Sequence, residues 1–162
     1  MKRPFLPLLL PLFILAGACK EETDPAPVTP PTTTPPTTPG TPPTMSNRLR
    51  IQVGTTTFTA TLLDNATATA FKAQLPLTAA MVELNGNEKY YDLPASLPTN
   101  AANPGTIQNG DLMLYGSTTL VLFYQSFRTS YSYTRLGRVD NPAGLAAALG
   151  ARGVTVTFEL QP

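Results

Sequence analysis

The chain has 162 residues and a formal net charge of +1, with 11 basic side chains, 10 acidic side chains, no histidine, no tryptophan and one cysteine. So small and evenly spread a charge does not indicate a nucleic-acid-binding surface, and we expect no nucleic-acid partner. The lack of histidine excludes a Ser-His-Asp triad and imidazole metal ligands, and a single cysteine excludes an internal disulfide and a thiolate metal cluster. We therefore expect neither a metal site nor a cofactor.

Residues 1–18 are predicted to be a lipoprotein signal peptide. Lys2 and Arg3 supply positive charge, and the apolar stretch Phe5–Leu15 is too short to span a bilayer as a stable helix. Three small residues then precede Cys19. This order of a charged, an apolar and a small-residue segment is typical of an exported protein.

Cys19 directly follows the small residues, and this arrangement resembles a bacterial lipobox, in which the cysteine is lipidated and becomes the mature N-terminus. Such motifs usually carry leucine where this chain has Ala16, so an ordinary signal peptide with an incidental cysteine stays as the alternative. Residues 20–22, Lys-Glu-Glu, resemble the surface-export signal of Bacteroidota lipoproteins, or form a solvated charged run. We expect a bacterial outer membrane lipoprotein, anchored in the membrane through Cys19, on the cell surface or the periplasmic face.

Residues 19–46 are predicted to be a linker that follows the lipidated cysteine. Thr23–Ser46 contains nine prolines and nine threonines. Such a composition cannot bury a core, and proline removes backbone hydrogen-bond donors. Proline-rich chains extend by about 3.1 Å per residue, so this segment can reach roughly 70 Å as a spacer.

Residues 47–162 are predicted to form one globular domain, which begins with a β-hairpin. Apolar and polar residues alternate over 48–53 and again over 58–62, with a turn at Gly54. Asp64-Asn65 can cap a helix over Ala66–Leu75, which Pro76 ends.

A second hairpin is predicted next. Leu77–Leu84 and Lys89–Leu93 are the predicted strands, and Asn85-Gly86 is a strong signal for a tight turn because both residues tolerate positive φ. Pro94–Gly110 holds three prolines and two Asn-Gly or Pro-Gly turn signals, so it is predicted to be mainly loop.

The densest β-prone sequence lies between Gly110 and Gly137. Leu112 and Leu114 alternate with their neighbours, and Leu120–Tyr124 is an unbroken apolar run that predicts a strand buried on both faces. A third strand is expected near Ser132–Val139.

The chain then closes with a short helix and a strand. Asn141 can cap a helix over Pro142–Leu149, and Val154–Phe158 alternates as a final strand. The total is about eight strands and two short helices, with first and last strands that can pair. We predict a mainly β fold in which a closed barrel removes the exposed strand edges.

Several segments of the domain resemble the bacterial cyclophilin-like domain proteins, in matching order and at fitting spacing. They are residues 59–75, 83–90, 110–116, 120–124 and 130–137, then Asn141-Pro142 and Gly144-Leu145. The resemblance covers nearly the whole domain. It implies a closed eight-stranded cyclophilin-like barrel with two short α-helices.

The same resemblance bears on activity. Cyclophilins are peptidyl-prolyl isomerases whose groove carries a catalytic arginine, an aromatic floor, a tryptophan and a histidine. Here Tyr133 stands at the histidine position, the chain has no tryptophan, and Val82–Asn85, where the arginine is expected, contains none. The isomerase site therefore does not transfer, and catalytic residues stay unassigned.

Candidate ligand-binding residues come mainly from the central strands. Tyrosines there offer ring surface and a hydroxyl group, or simply pack in the barrel; arginines can hold a carboxylate, or are merely solvated. Glu83 is a general acid or base if buried, or pairs with a nearby arginine. Ser126 lacks a nucleophile elbow and a histidine base. The candidate groove residues are Glu83, Asn85, Tyr115, Ser126, Arg128, Tyr133 and Arg135, with Tyr124 and Tyr131 as further groove tyrosines.

Two main functions stay open. The first is a membrane-anchored cyclophilin-like binding domain for an unidentified small molecule or peptide, without isomerase activity. The alternative is a divergent peptidyl-prolyl cis-trans isomerase that acts on periplasmic or surface proteins. A third reading makes the barrel a structural interaction module. An arginine above a hydrophobic floor would favour the isomerase.

Overall fold

The structure is a computed structural model, which describes residues 46–162. The predicted signal peptide, Cys19 and nearly all of the predicted linker lie outside the described residues. The elements of the described part are β1 Arg48–Val53, β2 Thr56–Leu62, α1 Ala66–Lys72, β3 Leu77–Leu84, β4 Glu88–Asp92, β5 Thr106–Ile107, β6 Asp111–Tyr115, β7 Thr119–Phe123, β8 Phe127–Arg128, β9 Thr134–Val139, α2 Leu145–Leu149 and β10 Val154–Leu160.

Eight of these strands form a closed antiparallel barrel in the order β1-β10-β3-β4-β7-β6-β9-β2. The first and last strands pair, with Ile51 opposite Phe158, and β1 also pairs with β2 to close the ring. The mainly β fold and the closed eight-stranded barrel with two helices are thus confirmed. Closure leaves none of these eight strands with an unpaired edge, which removes the risk of edge-to-edge aggregation.

The barrel interior holds the main hydrophobic core. Alternate residues of each strand face inward, and Leu49, Leu114 and Phe158 are fully buried there. Helix α1 adds Phe71, whose ring meets that of Phe158 edge to face with centroids 6.2 Å apart. Helix α2 adds Leu145 to the same core. Both helices therefore cover apolar surface that the strands alone leave open.

Strand β7 is buried on both faces, as its unbroken apolar run predicts. Leu120 and Leu122 belong to the interior core, whereas Val121 and Phe123 belong to a second cluster on the outer face, with Ile107. A small two-stranded ribbon of β5 and β8 supplies part of this outer cover. The prediction that Pro94–Gly110 is mainly loop missed β5, because two residues are too few to show a strand period.

Helix α1 starts as predicted but ends earlier. Asn65 caps α1 as predicted, since its Oδ1 accepts from the Ala68 amide at 2.8 Å. The helix ends at Lys72 rather than Leu75, because the amides of Gln74 and Leu75 bond three residues back, to the carbonyls of Phe71 and Lys72. Such i→i+3 bonds tighten the last turn and end the α-helical hydrogen-bond pattern.

Helix α2 begins later than predicted. Asn141 does not cap it; its Oδ1 accepts from the Ala143 amide within a preceding turn. Gly144 then stands at the N-cap position with φ of 80°, and the helix starts at Leu145. Positive φ at this position suits glycine and breaks the helix that Pro142 was expected to begin.

Candidate functional site

An open groove of about 430 Å³ lies on the outside of the barrel. In β4, Glu88, Tyr90 and Asp92 alternate onto one face, and they pair with Phe123, Val121 and Thr119 of β7. Because Val121 and Phe123 face outward, these three β4 side chains do so too. We call this cleft the aromatic groove and define it by Glu88, Tyr90, Asp92, Tyr115, Phe127, Tyr131 and Tyr133.

The aromatic groove contains a connected chain of rings. Tyr131 meets Tyr115 edge to face at 6.2 Å between centroids, and Tyr115 meets Tyr133 at 5.7 Å. Tyr133 in turn contacts Phe123 at 5.5 Å, and Phe123 contacts Phe127 at 5.8 Å. Pairs at these distances stabilise one another beyond their buried area. The rings therefore form one continuous aromatic surface.

Exposure falls along this chain of rings. Tyr131 is 62% exposed and Tyr115 is 47% exposed, whereas Tyr133 is 7% exposed and Phe123 is fully buried. The groove thus has an accessible aromatic rim and a buried aromatic base. Large exposed aromatic surface is typical of a contact site.

Glu88 lies in the groove and is only 9% exposed. Within residues 46–162 its carboxylate takes part in no ion pair, and no hydrogen bond lowers its pKa. Burial, and then the negative charge of Glu83, raise the pKa of Glu88. Burial also raises the pKa of Tyr133, and the charge of Glu88 raises it further. The field of this carboxylate therefore reaches the aromatic base.

The other polar groups of the groove are few. Asp92 is exposed, and one of its carboxylate oxygens accepts from the Thr119 hydroxyl at 2.7 Å. Asn87 lines the groove, and its buried Oδ1 has no partner among the described residues. Asn85 also lines it, from the turn where its φ is 56°. Among the described lining residues, the charged ones are both acidic.

A second polar site, which we call the interior cluster, consists of Glu83, Lys89 and Tyr124. Lys89 is fully buried and donates to the Glu83 carboxylate and to the carbonyls of Gly150 and Arg152, both at 2.7 Å. Its ammonium also lies 5.4 Å from the centroid of the Tyr124 ring. Since Gly150 follows α2, this lysine fixes the end of that helix to the barrel.

The Glu83 carboxylate accepts hydrogen bonds from three donors. Besides Lys89, it accepts from the Tyr124 hydroxyl at 2.7 Å and from the Gly86 amide at 2.8 Å. Burial opposes its ionisation, but the hydrogen bonds from Lys89, Tyr124 and Gly86 outweigh burial and lower the pKa of Glu83. Burial, and then the hydrogen bond to Glu83, raise the pKa of Tyr124 to about 12.

The interior cluster is therefore structural in character. Glu83 was predicted either to act as a general acid or base or to form an ion pair with an arginine. It forms an ion pair, but the partner is Lys89, so the prediction of an arginine is wrong. The reason is the pairing of β3 with β4, which sets Lys89 directly opposite Glu83. A carboxylate with a lowered pKa and three donors does not supply a proton near neutral pH.

Three further predicted site residues, Ser126, Arg128 and Arg135, do not line the aromatic groove. Ser126 is exposed, and its hydroxyl accepts from the Asn109 amide at 2.9 Å. Arg128 is exposed on β8 and does not line the aromatic groove, although Phe127 beside it does. Arg135 is exposed and lines a neighbouring cleft beside Asn65, and Tyr133 lines both this cleft and the aromatic groove. Of the seven candidate groove residues, the structure brings Asn85, Tyr115 and Tyr133 together.

Several groove and cluster residues had no assignment from the sequence. Glu88, Tyr90 and Asp92 were placed in or beside a strand without a role, and Lys89 was not expected to be buried. The available signal was the two-sided burial of Leu120–Tyr124, which implies outward-facing partners on a neighbouring strand. The sequence did not show which strand that neighbour was.

No group of three or more acidic, histidine or cysteine side chains is placed to hold a metal ion within residues 46–162. In the same part of the chain, no helix has the length and apolar content needed to cross a membrane.

The fold and the groove define the class of this protein: a closed antiparallel barrel of cyclophilin type with a cleft on its outer surface. The chain belongs to the cyclophilin-like family, whose family model matches residues 51–159. A similar solved structure is the solution structure of the hypothetical protein AF2241 from Archaeoglobus fulgidus. It superposes with a TM-score of 0.57 at 19% identity, over 72% of this chain and 96% of that chain. At this identity the similarity concerns the fold. No protein of curated function matches the chain.

Proposed function

We propose that this protein is a membrane-anchored binding protein, whose barrel takes a small molecule or a peptide in the aromatic groove and does not isomerise proline peptides. The observation that carries the proposal is a cleft of about 430 Å³, lined by connected rings and by the largely buried residue Glu88, whose carboxylate has no ion-pair partner within residues 46–162. Ligand sites are usually clefts of this size, largely apolar and with few polar groups. A carboxylate whose pKa is raised by burial and that lies in such a cleft is a candidate functional group.

The absence of isomerase activity follows from the charge of the groove. Rotation about a peptide bond has a barrier of about 18–20 kcal/mol. An enzyme lowers it by favouring the twisted amide over the planar one, which in cyclophilins is the task of an arginine. Among the described residues that line the aromatic groove there is no arginine or lysine, and Glu88 and Asp92 have the opposite charge.

Binding can be tested through the six tyrosines of the chain. Tyr90, Tyr115, Tyr131 and Tyr133 line the groove, whereas Tyr91 and Tyr124 do not. With selective carbon-13 labelling of tyrosine, a set of neutral fragments and extended peptides should shift the four groove signals and leave the other two in place. If neither this set nor a set of charged fragments shifts any of the four, the groove is not a binding site.

The isomerase alternative needs its own assay. In an NMR exchange assay on Xaa-Pro peptides, we expect no acceleration by the purified protein. Acceleration that is lost in Arg128→Ala or Arg135→Ala would show that the active arginine lies outside the groove as defined here, and that the protein is an isomerase.

The membrane anchor rests on Cys19 and the leader before it. We expect Cys19→Ser to move the protein from the membrane fraction to the soluble fraction of the producing cells. Retention of this variant in the membrane fraction after a salt and carbonate wash would contradict lipidation as the anchor.

A further inference from the structure

We infer that the ligand of the aromatic groove is a cation, specifically an alkylammonium group, held between the Glu88 carboxylate and the surrounding rings. This inference rests on the proposed function and names the chemical class that the groove selects.

The position and surroundings of Glu88 favour a cationic ligand most directly. It is nine-tenths buried, it lines the groove, and in the described part of the chain it forms no ion pair. Partial removal of an ionised carboxylate from water costs free energy when no opposite charge lies beside it. A ligand that carries N–H donors and a positive charge would supply the missing partner.

The rings supply the second half of the site. The π faces of tyrosine and phenylalanine attract cations within about 6 Å of the ring centroid. Tyr115, Tyr131 and Tyr133 are linked by edge-to-face or tilted contacts, so they present neighbouring rings to a ligand in the groove. The burial that raises the pKa of Tyr133, with the added effect of the Glu88 charge, keeps its hydroxyl neutral. The ring therefore adds no negative charge that would need a partner of its own.

The charge of the groove excludes an anionic ligand. Both charged lining residues, Glu88 and Asp92, are acidic, and Arg128 and Arg135 lie outside the lining of this groove. A groove with acceptors and π faces but no basic side chain among its described residues suits a protonated amine. Either a free amine or a lysine side chain of a peptide carries this group.

The test compares three ligands of the same length on the full chain, purified in a non-ionic detergent and labelled on tyrosine with carbon-13. The probes are n-pentylamine, 1-pentanol and pentanoate at neutral pH. We expect n-pentylamine to bind at least ten-fold more tightly than 1-pentanol, as read from the signals of Tyr115 and Tyr133, and pentanoate not to bind. Equal binding of the amine and the alcohol, or tighter binding of pentanoate, would overturn the inference.

Two variants assign the preference to Glu88. Glu88→Gln keeps the shape but removes the charge, and should reduce the preference for the amine over the alcohol to less than two-fold. Asp64→Asn removes an equal charge from an exposed position that does not line the groove, and should keep the full preference. Full preference in Glu88→Gln would contradict the inference. If Glu88→Gln fails to fold, the binding of n-pentylamine, 1-pentanol and pentanoate to the unsubstituted chain still shows whether the groove prefers a cation.

The outcomes separate this inference from the proposed function. If neutral fragments shift the groove tyrosines but n-pentylamine does not, the groove binds ligands and the cation inference alone fails. If neither neutral fragments nor n-pentylamine shift them, both fail. A blocked lysine, N-acetyl-lysine methylamide, distinguishes the two sources of the ammonium: tighter binding than n-pentylamine indicates a peptide, and weaker binding indicates a free amine.

Discussion

The interior cluster offers the sharpest test of what holds this barrel together. Lys89 is fully buried and its ammonium meets the Glu83 carboxylate and two backbone carbonyls near the end of α2. Lys89→Met keeps an unbranched side chain of similar length and removes only the charge and its three hydrogen bonds. The variant therefore isolates the polar contribution of this lysine from its packing.

The expected cost follows from the partners left behind. Removing one member of a buried ion pair costs about 3–5 kcal/mol, because the other charge stays buried without compensation. Here Glu83 keeps donors from Tyr124 and Gly86 and its side chain is 20% exposed, which reduces that term. The two orphaned carbonyls add about 1 kcal/mol each. We expect a loss of about 3 kcal/mol, a large share of the roughly 5–15 kcal/mol typical of a domain.

Urea unfolding followed by far-ultraviolet circular dichroism measures this loss, since the chain has no tryptophan to report by fluorescence. Arg50→Met is the matched control: Arg50 pairs with Glu159 on the surface, where the side chains are 45% and 35% exposed. Exposed pairs contribute about 0–1 kcal/mol, so this variant should be nearly neutral. A cost for Lys89→Met no larger than that for Arg50→Met would refute the reasoning.

Three further changes are predicted from the same contacts. Glu88→Gln should raise the free energy of unfolding at pH 7 by about 0.5–2 kcal/mol, the range of common stabilising substitutions, because it removes a carboxylate that is partly withdrawn from water. The raised folded-state pKa of Glu88 means that its ionisation costs stability as pH rises, so this gain should vanish below the ordinary pKa of 4.5 in urea titrations. Gly137→Ala should cost at least about 2 kcal/mol, because a Cβ there would lie 2.9 Å from the Leu62 Cα and force backbone apart; a neutral effect in thermal unfolding would contradict this. Tyr124→Phe should cost about 1 kcal/mol through the lost hydrogen bond to Glu83, measured by urea unfolding.

Much of the fold could be predicted from the sequence because its strands carry strong local patterns. The alternation over 48–53 places Leu49, Ile51 and Val53 inside, and all three are buried. The apolar run Leu120–Tyr124 predicts burial on both faces, which the structure confirms. The ends of the helices were not predictable in this way, because i→i+3 bonds after Lys72 and a positive φ at Gly144 decide them.

The site was less predictable, since it depends on contacts between distant segments. Tyr115 and Tyr133 were expected to share a groove, and both line it. Glu88 gave no local signal. It becomes part of the groove only because β4 pairs with β7, which sets Glu88 opposite Phe123, a residue far along the chain. Nothing within a short window around Glu88 reports that pairing.

Asn87, in the turn between β3 and β4, sets the register of β4 and so decides which of its side chains reach the interior cluster and which reach the groove. Asn85 and Gly86 both have positive φ, as the turn signal predicts, but the loop includes Asn87 as well, so Leu84 pairs with Glu88 and Glu83 pairs with Lys89. A two-residue turn would instead set Glu83 opposite Glu88, two like charges on one face, which is unfavourable.

A shift of one residue also exchanges the two faces of a strand. With Asn87 in the loop, Lys89 faces the interior, where it forms an ion pair with Glu83. Glu88 faces the groove, where no described side chain forms an ion pair with it. With a two-residue loop and Asn87 in the strand, the lysine would lie in the groove and would reverse its charge preference, while the interior would hold two carboxylates. The stability of the barrel and the acidic character of the groove therefore depend on the same loop length.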